Sequence, residues 1–543
     1  MKKGFRILIL IAVLLPFSTS AINKIPDSLS KFYFKASVGY GLGINGELVE
    51  NTDKDGNITN TQSKLGTGFG FSASAGYQLF PHLGFEMGIG YFTGIKTNLF
   101  SSYYGSETNN GTIIQCVPSV VFASRLGHFH PYLKLGLILA LPEVYAETTE
   151  IDKYSPNQAT TDSKFKYYNG LALGVQTVMG CTVPLSNSRF SIFAEVSFSN
   201  VGYFPERYQK YAQTVNGTDD LSKLTISDKQ SIYKTKLSNT TTNPSDQPSY
   251  YLQTLIHFNT LAFNIGLKWN LGNLSIPTSD ERKENPFYVR LQVGYGFEEN
   301  GDLYYDDQEE SHDLQTTYFS GGSGLNIGLG AGYMINENLG VDLGANYAFG
   351  ASLKTKYGVL MPHENPFLFP DEPIGSLNGN MLQVNPSVVL ATHIQKIKPY
   401  ARIGMLIGAG EINSVYDYNI PISNSYPGLG GQFHYAYKLY GGIALGYNAV
   451  LGIAYPLRKN MDIYTEAAFN NIYYVPTNGA LIQYSKDGVN QLPNINNYSK
   501  TINFKYSYNE SVFANYPDKV QIASPLQYSF NTIVASIGVR VWL

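Results

Sequence analysis

The residues of this chain that could do chemistry are charged side chains at corresponding places in its two halves. Three cations and two anions recur although the residue types change, so charge matters more than side-chain shape. Buried charges must be paired and hydrogen-bonded. The pattern therefore predicts a salt-bridge network in a narrow interior, with a gate or a charge-selective constriction as the alternative. The set comprises Lys35, Glu86, Lys134, Glu195 and Lys268, then Arg290, Asp342, Arg402, Glu466 and Arg540.

Signs of catalysis are weak by comparison. The eight histidines lie mostly in predicted turns or loops, and none recurs at one inward position of both halves. Ser199-Asn200 has no nearby histidine that could activate a nucleophile. The carboxylate pairs Asp306-Asp307 and Glu309-Glu310 lack the glycine spacing of a calcium loop and are expected to be solvated. No catalytic residue, metal site or cofactor is predicted, and the chain is not expected to be an enzyme.

Composition restricts the class of protein. Only 15% of the 543 residues are charged, against about 25% in soluble domains, while glycine (53) and tyrosine (43) are abundant. A mean hydropathy of -0.14 shows no excess of long apolar runs. The net charge of -3 argues against a nucleic-acid partner. Cys116 and Cys181 fall in strand-like segments and are interpreted as small buried or lipid-facing residues, a disulfide being the less favoured alternative.

The first 21 residues predict a cleaved signal peptide. Lys2, Lys3 and Arg6 precede a short apolar core at 7–15, and small residues follow at 16–21. The core is too short to span a bilayer as a helix, and no cysteine follows it for a lipid anchor. Beyond it no stretch of 18 apolar residues occurs. Any membrane residence must therefore use strands.

The rest of the chain repeats itself, in five ordered blocks whose separation grows from 255 to 272 residues. The separation changes mainly between blocks, as expected when loops accept insertions and structural elements do not. The matching pairs are Phe32-Tyr33 with Phe287-Tyr288, Gly76-Tyr77 with Gly332-Tyr333, Pro131-Tyr132 with Pro399-Tyr400, Gly180 with Gly452, and Phe258-Asn259-Thr260 with Phe530-Asn531-Thr532.

Each block alternates with period two, which is typical of strands. Phe34, Ala36 and Val38 form an apolar face opposite Lys35 and Ser37. The opposite faces are rich in Gly, Ser, Ala and Asn, aromatic residues recur at strand ends, and short links alternate with long polar ones, as in membrane barrels. Sixteen strands are predicted, at 32–43, 68–80, 83–94, 112–125, 131–141, 167–184, 189–200, 258–271, 287–297, 321–335, 338–350, 380–394, 399–410, 437–456, 460–472 and 529–543.

These residues resemble the OmpA-like family of eight-stranded outer-membrane barrels, once in each half. The family's last strand carries a polar residue, a glycine two positions later and terminal hydrophobic residues, which the barrel-assembly machinery recognises. Ser536, Gly538, Val541 and Leu543 match, with leucine where phenylalanine is more common; Asn264, Gly266, Trp269 and Leu271 match inside the chain. No trace of the helical peptidoglycan-binding domain that often follows such barrels is found.

The predicted fold is therefore an all-β transmembrane antiparallel barrel protein, with two tandem eight-stranded barrels preferred over one sixteen-stranded barrel. The predicted divisions are a signal peptide (1–21), a first barrel repeat (22–272), a periplasmic linker (273–286) and a second repeat (287–543). The expected location is the bacterial outer membrane, reached through the periplasm. The expected partners are outer-membrane lipid and lipopolysaccharide, the barrel-assembly machinery and an unknown extracellular ligand.

The sequence leaves three roles open, of which the third is the least favoured. The preferred one is a structural or surface-interaction role through long extracellular loops. The alternative is a passive diffusion porin through one larger barrel, and an outer-membrane lipid- or peptide-modifying enzyme is the least favoured. Loop 201–257 is polar and poor in large aliphatic residues. It is expected to be either a partner-facing surface or a partly disordered crown.

Overall fold

The computed structural model describes residues 31–46, 48–53, 55, 57–102, 105–152, 159–185, 189–238, 244–272, 286–308, 313–355, 374–420, 430–509 and 518–543. The predicted signal peptide lies outside these residues, as does the predicted linker except for Pro286. Within them the chain is almost entirely β-structure. None of its helices is long and apolar enough to cross a bilayer.

The first half contains eighteen strands in the described residues and one short α-helix, α1 (Ile226–Lys229). The strands are β1 (Phe32–Gly43), β2 (Leu48–Thr52), β3 (Asn57–Gln62), β4 (Gly68–Phe80), β5 (Leu83–Gly94), β6 (Thr97–Ser102), β7 (Gly105–Ala123), β8 (His130–Ile151), β9 (Thr160–Tyr168), β10 (Ala172–Pro184), β11 (Phe190–Tyr203), β12 (Arg207–Val215), β13 (Thr218–Asp219), β14 (Gln230–Lys234), β15 (Lys236–Leu237), β16 (Ser249–Leu252), β17 (Ile256–His257) and β18 (Thr260–Asn270).

The second half also contains eighteen strands in its described part and one short α-helix, α2 (Asn497–Lys500). The strands are β19 (Phe287–Glu298), β20 (Asp302–Gln308), β21 (Asp313–Phe319), β22 (Gly324–Met334), β23 (Leu339–Gly350), β24 (Leu353–Thr355), β25 (Ile374–Ala391), β26 (Lys398–Ile420), β27 (Gly431–Tyr440), β28 (Ala444–Arg458), β29 (Met461–Tyr474), β30 (Asn478–Lys486), β31 (Val489–Asn490), β32 (Thr501–Phe504), β33 (Ser507–Asn509), β34 (Gln521–Ala523), β35 (Tyr528–Ser529) and β36 (Thr532–Trp542).

Sixteen of these strands close into two separate eight-stranded antiparallel barrels. The first runs β1-β4-β5-β7-β8-β10-β11-β18 and closes by pairing β18 with β1. The second runs β19-β22-β23-β25-β26-β28-β29-β36 and closes by pairing β36 with β19. The preferred tandem architecture is confirmed. The single sixteen-stranded barrel is wrong, because the first and last strands of each half pair with each other and close that half by itself.

Side chains alternate across each barrel wall as the period-two pattern predicted. Val38 is 45% exposed and Leu291 62% exposed on the outer surfaces, whereas Lys35 is only 8% exposed inside. Large apolar side chains cover the outside of both barrels along their length. Water would be a poor solvent for such a surface, whereas hydrocarbon matches it.

The two ends of each barrel differ. At the short-turn end the strands are joined by tight links such as Pro81-His82 between β4 and β5. At the long-loop end several strands continue past the membrane-facing band, so that β8 extends to Ile151 where the alternation predicted an end at 141. Loop 201–257 is also largely structured, since it contributes β12, β14 and β16 and contains α1. The strands still pair there, because hydrogen bonds between neighbouring backbones do not require one face of a strand to meet lipid.

The barrels pack against each other side by side. Leu133 and Leu135 of β8 belong to one buried cluster with Leu390 of β25 and Ile403 of β26. Near the long-loop end the loops of the two halves share small sheets, one of order β2-β3-β33 and one of order β15-β21-β20. The two closed barrels are thus joined by side-chain packing and by backbone hydrogen bonds.

Candidate functional site

Four of the predicted charges meet inside the first barrel near its short-turn end, and we call them the first ion-pair tetrad. Lys35 Nζ lies 2.5 Å from Glu195 Oε1 and 3.7 Å from Glu86 Oε2. Lys134 Nζ lies 3.0 Å from Glu86 Oε1 and 3.8 Å from Glu195 Oε1. All four residues are buried. Their strands β1, β5, β8 and β11 are spread around the barrel, so the tetrad spans the lumen.

The second barrel contains the corresponding second ion-pair tetrad. Arg290 Nη2 lies 2.8 Å from Asp342 Oδ1, and Arg402 Nη1 lies 3.2 Å from the same oxygen. Arg402 Nη2 reaches Glu466 Oε2 at 2.7 Å. Two cations again balance two anions on the corresponding strands, although each lysine is replaced by arginine. The geometry fits a network that fills the lumen, which was the structural interpretation of the sequence pattern.

The fifth predicted charge of each half does not join its tetrad. Arg540 Nη2 pairs instead with Asp462 Oδ2 at 2.8 Å, and Trp542 Nε1 donates to the same oxygen. Lys268 Nζ lies over the Tyr33 ring, 4.1 Å from its centroid, and forms no ion pair within the described part of the chain. The sequence pattern did not include Asp462, because its counterpart in the first half is Ser191, which carries no charge. Ser191 pairs with Lys268 in the β11–β18 register as Asp462 pairs with Arg540 in the β29–β36 register.

Four tyrosine hydroxyls complete the tetrads, two in each barrel. Tyr33 donates to Glu86 at 3.1 Å and Tyr132 to Glu195 at 2.7 Å. In the second barrel Tyr288 donates to Asp342 at 2.9 Å and Tyr400 to Glu466 at 2.6 Å. The repeat pairs Phe32-Tyr33 with Phe287-Tyr288 and Pro131-Tyr132 with Pro399-Tyr400 marked these residues, although no role was predicted for them.

Glycines let these rings cross the neighbouring strands. A Cβ on Gly76 would lie 2.1 Å from Tyr33 Cζ, and one on Gly180 would lie 2.4 Å from Tyr132 Cζ. Gly332 and Gly452 stand in the same relation to Tyr288 and Tyr400. A side chain at these positions would overlap the ring that brings a hydroxyl to the carboxylate. The repeated glycines therefore preserve the tetrads.

The predicted assembly-signal residues lie on the two closing strands β18 and β36 and just beyond them. Gly266 and Gly538 lie beneath the rings of Phe193 and Tyr464, respectively, at positions where a Cβ would overlap the ring. The backbone N–H groups of Leu271 and Leu543 donate to the backbone oxygens of Phe32 and Phe287. Of this set, Val541 and Trp269 point outward and are exposed. Ser536 and Asn264 face the lumen.

A second closure lies nearer the long-loop end of each lumen, and we call it the apolar plug. In the first barrel Phe258 is 1% exposed and packs with Ile113, Ile138 and Tyr203. In the second barrel Phe530 is fully buried in a larger cluster. These are the phenylalanines of the repeated Phe-Asn-Thr motif. Each lumen is therefore crossed by charges at one level and by packed hydrophobic side chains at another.

A cavity of about 120 Å³ lies between the tetrad and the plug of the first barrel. Its lining includes the tetrad and Phe258, together with hydroxyl and amide side chains. A smaller cavity of about 40 Å³ lies on the opposite side of the tetrad, lined partly by Tyr33, His130 and Lys268. The tetrad thus separates two cavities of one lumen. The polar side chains of the larger cavity include Ser37, Ser72, Ser74, Gln115, Gln176 and Ser197.

The described residues place few reactive groups together. No group of three or more His, Cys, Asp or Glu side chains among them could hold a metal ion. Cys116 and Cys181 are free thiols. Ser199 Oγ accepts a long hydrogen bond of 3.5 Å from Gln176 Nε2. His434 of β27 contacts Asp417 at 2.7 Å, at the long-loop end.

Comparison with known proteins gives one family match. Residues 270–509 match the family described as outer membrane protein beta-barrel domain. No curated protein matches the chain.

Solved structures of several outer-membrane proteins are similar at low sequence identity. Neisserial surface protein A (NspA) is 12% identical, with 47% of this chain and 97% of that chain covered and a TM-score of 0.20. The outer membrane protease OmpT from Escherichia coli is 7% identical, with coverages of 97% and 100% and a TM-score of 0.16. A Pseudomonas aeruginosa FadL homologue is 9% identical, with coverages of 94% and 90% and a TM-score of 0.21.

Proposed function

Because this chain is a β-barrel protein of the bacterial outer membrane, we propose that it serves as a non-conducting, non-enzymatic surface protein whose long-loop end binds partners. The observation that carries this proposal is the double closure of each lumen. An ion passing through the first barrel would have to disrupt the buried tetrad of Lys35, Glu86, Lys134 and Glu195 and then displace Phe258. Separating buried charge pairs and opening a packed apolar cluster are both costly.

The long-loop end of the first barrel offers a surface for a partner. Strands β9, β12, β14 and β16 surround a pocket of about 1330 Å³. The pocket combines aromatic rings with hydroxyl, amide and charged groups, a mixture suited to binding and orienting a ligand. Its aromatic lining residues are Phe165, Tyr208, Tyr233, Tyr250 and Tyr251. This arrangement supports a partner-facing role for a loop that the sequence left open between binding and disorder.

We also infer that the halves arose from one OmpA-like eight-stranded unit. The support is that corresponding residues occupy corresponding pairings: Lys35 opposes Lys268 across β1 and β18, and Arg290 opposes Arg540 across β19 and β36. Export by the 1–21 signal peptide, insertion by the barrel-assembly machinery and contact with lipopolysaccharide belong to the same proposal. In it the long-loop end faces outward, as in barrels with short periplasmic turns.

Conductance in planar lipid bilayers tests the closed-lumen proposal. The full-length protein should give no large, stable, salt-dependent current steps. A variant combining Lys35→Ala, Glu195→Ala and Phe258→Ala should conduct, because it removes one neutral pair of the tetrad and the central ring of the plug. A matched variant at the outward ring, Phe263→Ala, should stay silent. Stable steps from the unmodified protein would show that a lumen conducts and would overturn the proposal.

Labelling of intact cells tests the orientation. In a background with Cys116→Ala and Cys181→Ala, a membrane-impermeant maleimide should label Ser222→Cys near α1. It should not label His128→Cys in an exposed short turn. Labelling of the turn but not of the loop would invert the proposed orientation. Hydrolysis of lipid or peptide by the purified protein, lost on substitution of Ser199, would support the enzyme alternative instead.

A further inference from the structure

Past the long-loop end of its barrel, each half forms a further sheet of the same arrangement. In the first half β9, β12, β14 and β16 form it, and we call it the first loop sheet. In the second half β27, β30, β32 and β34 form the second loop sheet. In both, a short α-helix leads directly into the third strand, and the third and fourth strands pair in parallel. The two sheets can therefore be compared position by position.

The strand registers show which residues of the two loop sheets are equivalent. On one face of the first sheet lie four tyrosines and a serine, whereas the same positions of the second sheet carry apolar residues and a glycine. The equivalent pairs, first sheet before second, are Tyr167 and Leu439, Tyr208 and Gly479, Ser231 and Ile502, Tyr233 and Phe504, and Tyr251 and Ala523.

This face is closed in one half and open in the other. In the second loop sheet Leu439, Ile502 and Phe504 are each at most 6% exposed and belong to the cluster that contains Phe530. In the first loop sheet the face lines the pocket of about 1330 Å³, and Tyr251 is 52% exposed. Packing alone does not require hydroxyl groups here, since the second sheet fills the same positions without them. The tyrosines and the serine therefore indicate a ligand that both stacks and takes hydrogen bonds.

The aromatic rings of the first loop sheet form a continuous row. Tyr208 contacts the rings of Phe165 and Tyr167, at centroid distances of 5.2 and 5.5 Å. Tyr233 continues the row, with its centroid 6.2 Å from Tyr167 and 6.3 Å from Tyr251. Aromatic rings that end in a hydroxyl bind ligands that are apolar on one side and polar on another. A sugar ring has this character, because its C–H groups form a flat apolar face and its hydroxyls form the rim.

A polar group beside this row is already held in position. Gln213 Oε1 accepts hydrogen bonds from Lys210 Nζ at 2.7 Å and from Ser163 Oγ at 3.3 Å. All three residues line the pocket. Amide, ammonium and hydroxyl groups fixed in this way can recognise sugar hydroxyls, each of which donates and accepts hydrogen bonds.

Charge and size restrict the ligand further. Among the described lining residues, the carboxylates of Glu107, Glu150 and Asp228 outnumber the one ammonium group, that of Lys210, which disfavours an anionic ligand. The pocket is larger than the ~300–1,000 Å³ usual for one small molecule, so it has room for a chain of several units. An extended peptide gains its affinity from a free strand edge, whereas these rings lie on the face of the sheet.

We propose that the first loop sheet binds a neutral oligosaccharide. Its sugar rings stack on Tyr208, Tyr233 and Tyr251, and its hydroxyls form hydrogen bonds with Lys210 and Gln213. This inference rests on the proposed function, because it names the class of partner that the long-loop end binds. The second loop sheet takes no sugar, because apolar side chains fill its equivalent face.

Isothermal titration calorimetry of the full-length protein, in a detergent without a sugar headgroup, tests the site. The probes are the neutral hexasaccharides maltohexaose, mannohexaose and N-acetylchitohexaose, with hexagalacturonate as the anionic comparison. At least one neutral probe should bind saturably and more tightly than its own monosaccharide. Hexagalacturonate should not bind, and its binding in preference to the neutral probes would contradict the proposal.

Three substitutions in the pocket and one outside it separate stacking from a general effect. Tyr208→Ala and Tyr251→Ala should each weaken binding by about fivefold. Ser231→Ile, which introduces the residue of the second loop sheet, should weaken it as well. Tyr211→Ala is the matched control, since Tyr211 is 41% exposed on the same strand β12 but lies outside the pocket lining. It should leave the affinity unchanged.

Failure of all three neutral probes to bind saturably overturns the oligosaccharide site, and so does equal affinity in Tyr251→Ala and Tyr211→Ala. Both of these rings are exposed, so both variants should fold, and far-UV circular dichroism checks this. The conductance test remains independent of this one. A protein that binds sugar but conducts overturns the proposed function and supports the site, whereas a silent protein that binds none of the probes overturns the site alone.

Discussion

Replacement of Glu195 by glutamine tests the ion-pair tetrad most directly. Glu195 Oε1 accepts from Lys35 Nζ at 2.5 Å and from the Tyr132 hydroxyl at 2.7 Å, with Lys134 Nζ at 3.8 Å. The substitution keeps the shape of the side chain but leaves two buried ammonium groups beside the single carboxylate of Glu86. Loss of one partner of a buried pair typically costs about 3–5 kcal/mol, because the remaining charge is left uncompensated.

The free energy of unfolding should be measured by urea titration of the folded protein in lipid vesicles. Glu147→Gln is the matched control, since Glu147 pairs with Lys96 at 2.5 Å but has a side chain 41% exposed. An exposed pair contributes at most about 1 kcal/mol. We therefore expect Glu195→Gln to lower stability by several times as much as Glu147→Gln.

Removal of the whole pair separates charge imbalance from lost packing. Lys35→Met combined with Glu195→Gln leaves Lys134 paired with Glu86 at 3.0 Å. The double variant should be more stable than Glu195→Gln alone, because it restores neutrality. The reasoning is refuted if Glu195→Gln costs no more than the exposed control, or if the double variant loses the sum of the two single losses.

Three further predictions concern the other features of the lumens and loops. Gly180→Ala should lower the free energy of unfolding by about 1–3 kcal/mol, because the new methyl group overlaps the Tyr132 ring. Gly70→Ala is the control, since a Cβ there meets no atom within 4 Å, and it should cost much less in the same urea titration. Phe258→Ala should cost about 3–5 kcal/mol, and a neutral result would mean that the plug is not tightly packed. The carboxylate hydrogen-bonded to His434 raises the pKa of this imidazole above its usual value. The stabilising contribution of the protonated imidazole should therefore be present at acidic pH and be lost as the pH rises through that raised pKa. An NMR titration of His434 with an ordinary midpoint would contradict this.

Much of the fold could be predicted because lipid imposes one pattern on every spanning strand. The predicted segments 32–43, 68–80 and 83–94 coincide with β1, β4 and β5. Accuracy falls where strands leave the apolar band. There β26 continues to Ile420 although the prediction ended at 410. Past the membrane both faces meet polar surroundings, and the alternation that identified the strand is lost while its backbone hydrogen bonds continue.

The site was predicted in part for a similar reason. Four charges in each half were found because both halves carry them at corresponding positions. Asp462 was not predicted because its counterpart in the first half is a serine. The tyrosine hydroxyls were not predicted because aromatic residues are common throughout the chain. The contact between Glu299 and Asn200 could not be predicted at all. Glu299 and Asn200 are brought together by the packing of two independent barrels, which no local pattern encodes.

The small sheet that joins the loops has a consequence for biogenesis. The β2–β3 hairpin pairs through Thr59 and Asn57 with Ser507 and Asn509, residues made more than four hundred positions later. Such distant pairing delays completion of the native state. Until the last strands arrive, the hairpin presents an unpaired edge of the kind that invites aggregation. A chaperone that shields this early edge would therefore matter more for this chain than for a lone eight-stranded barrel.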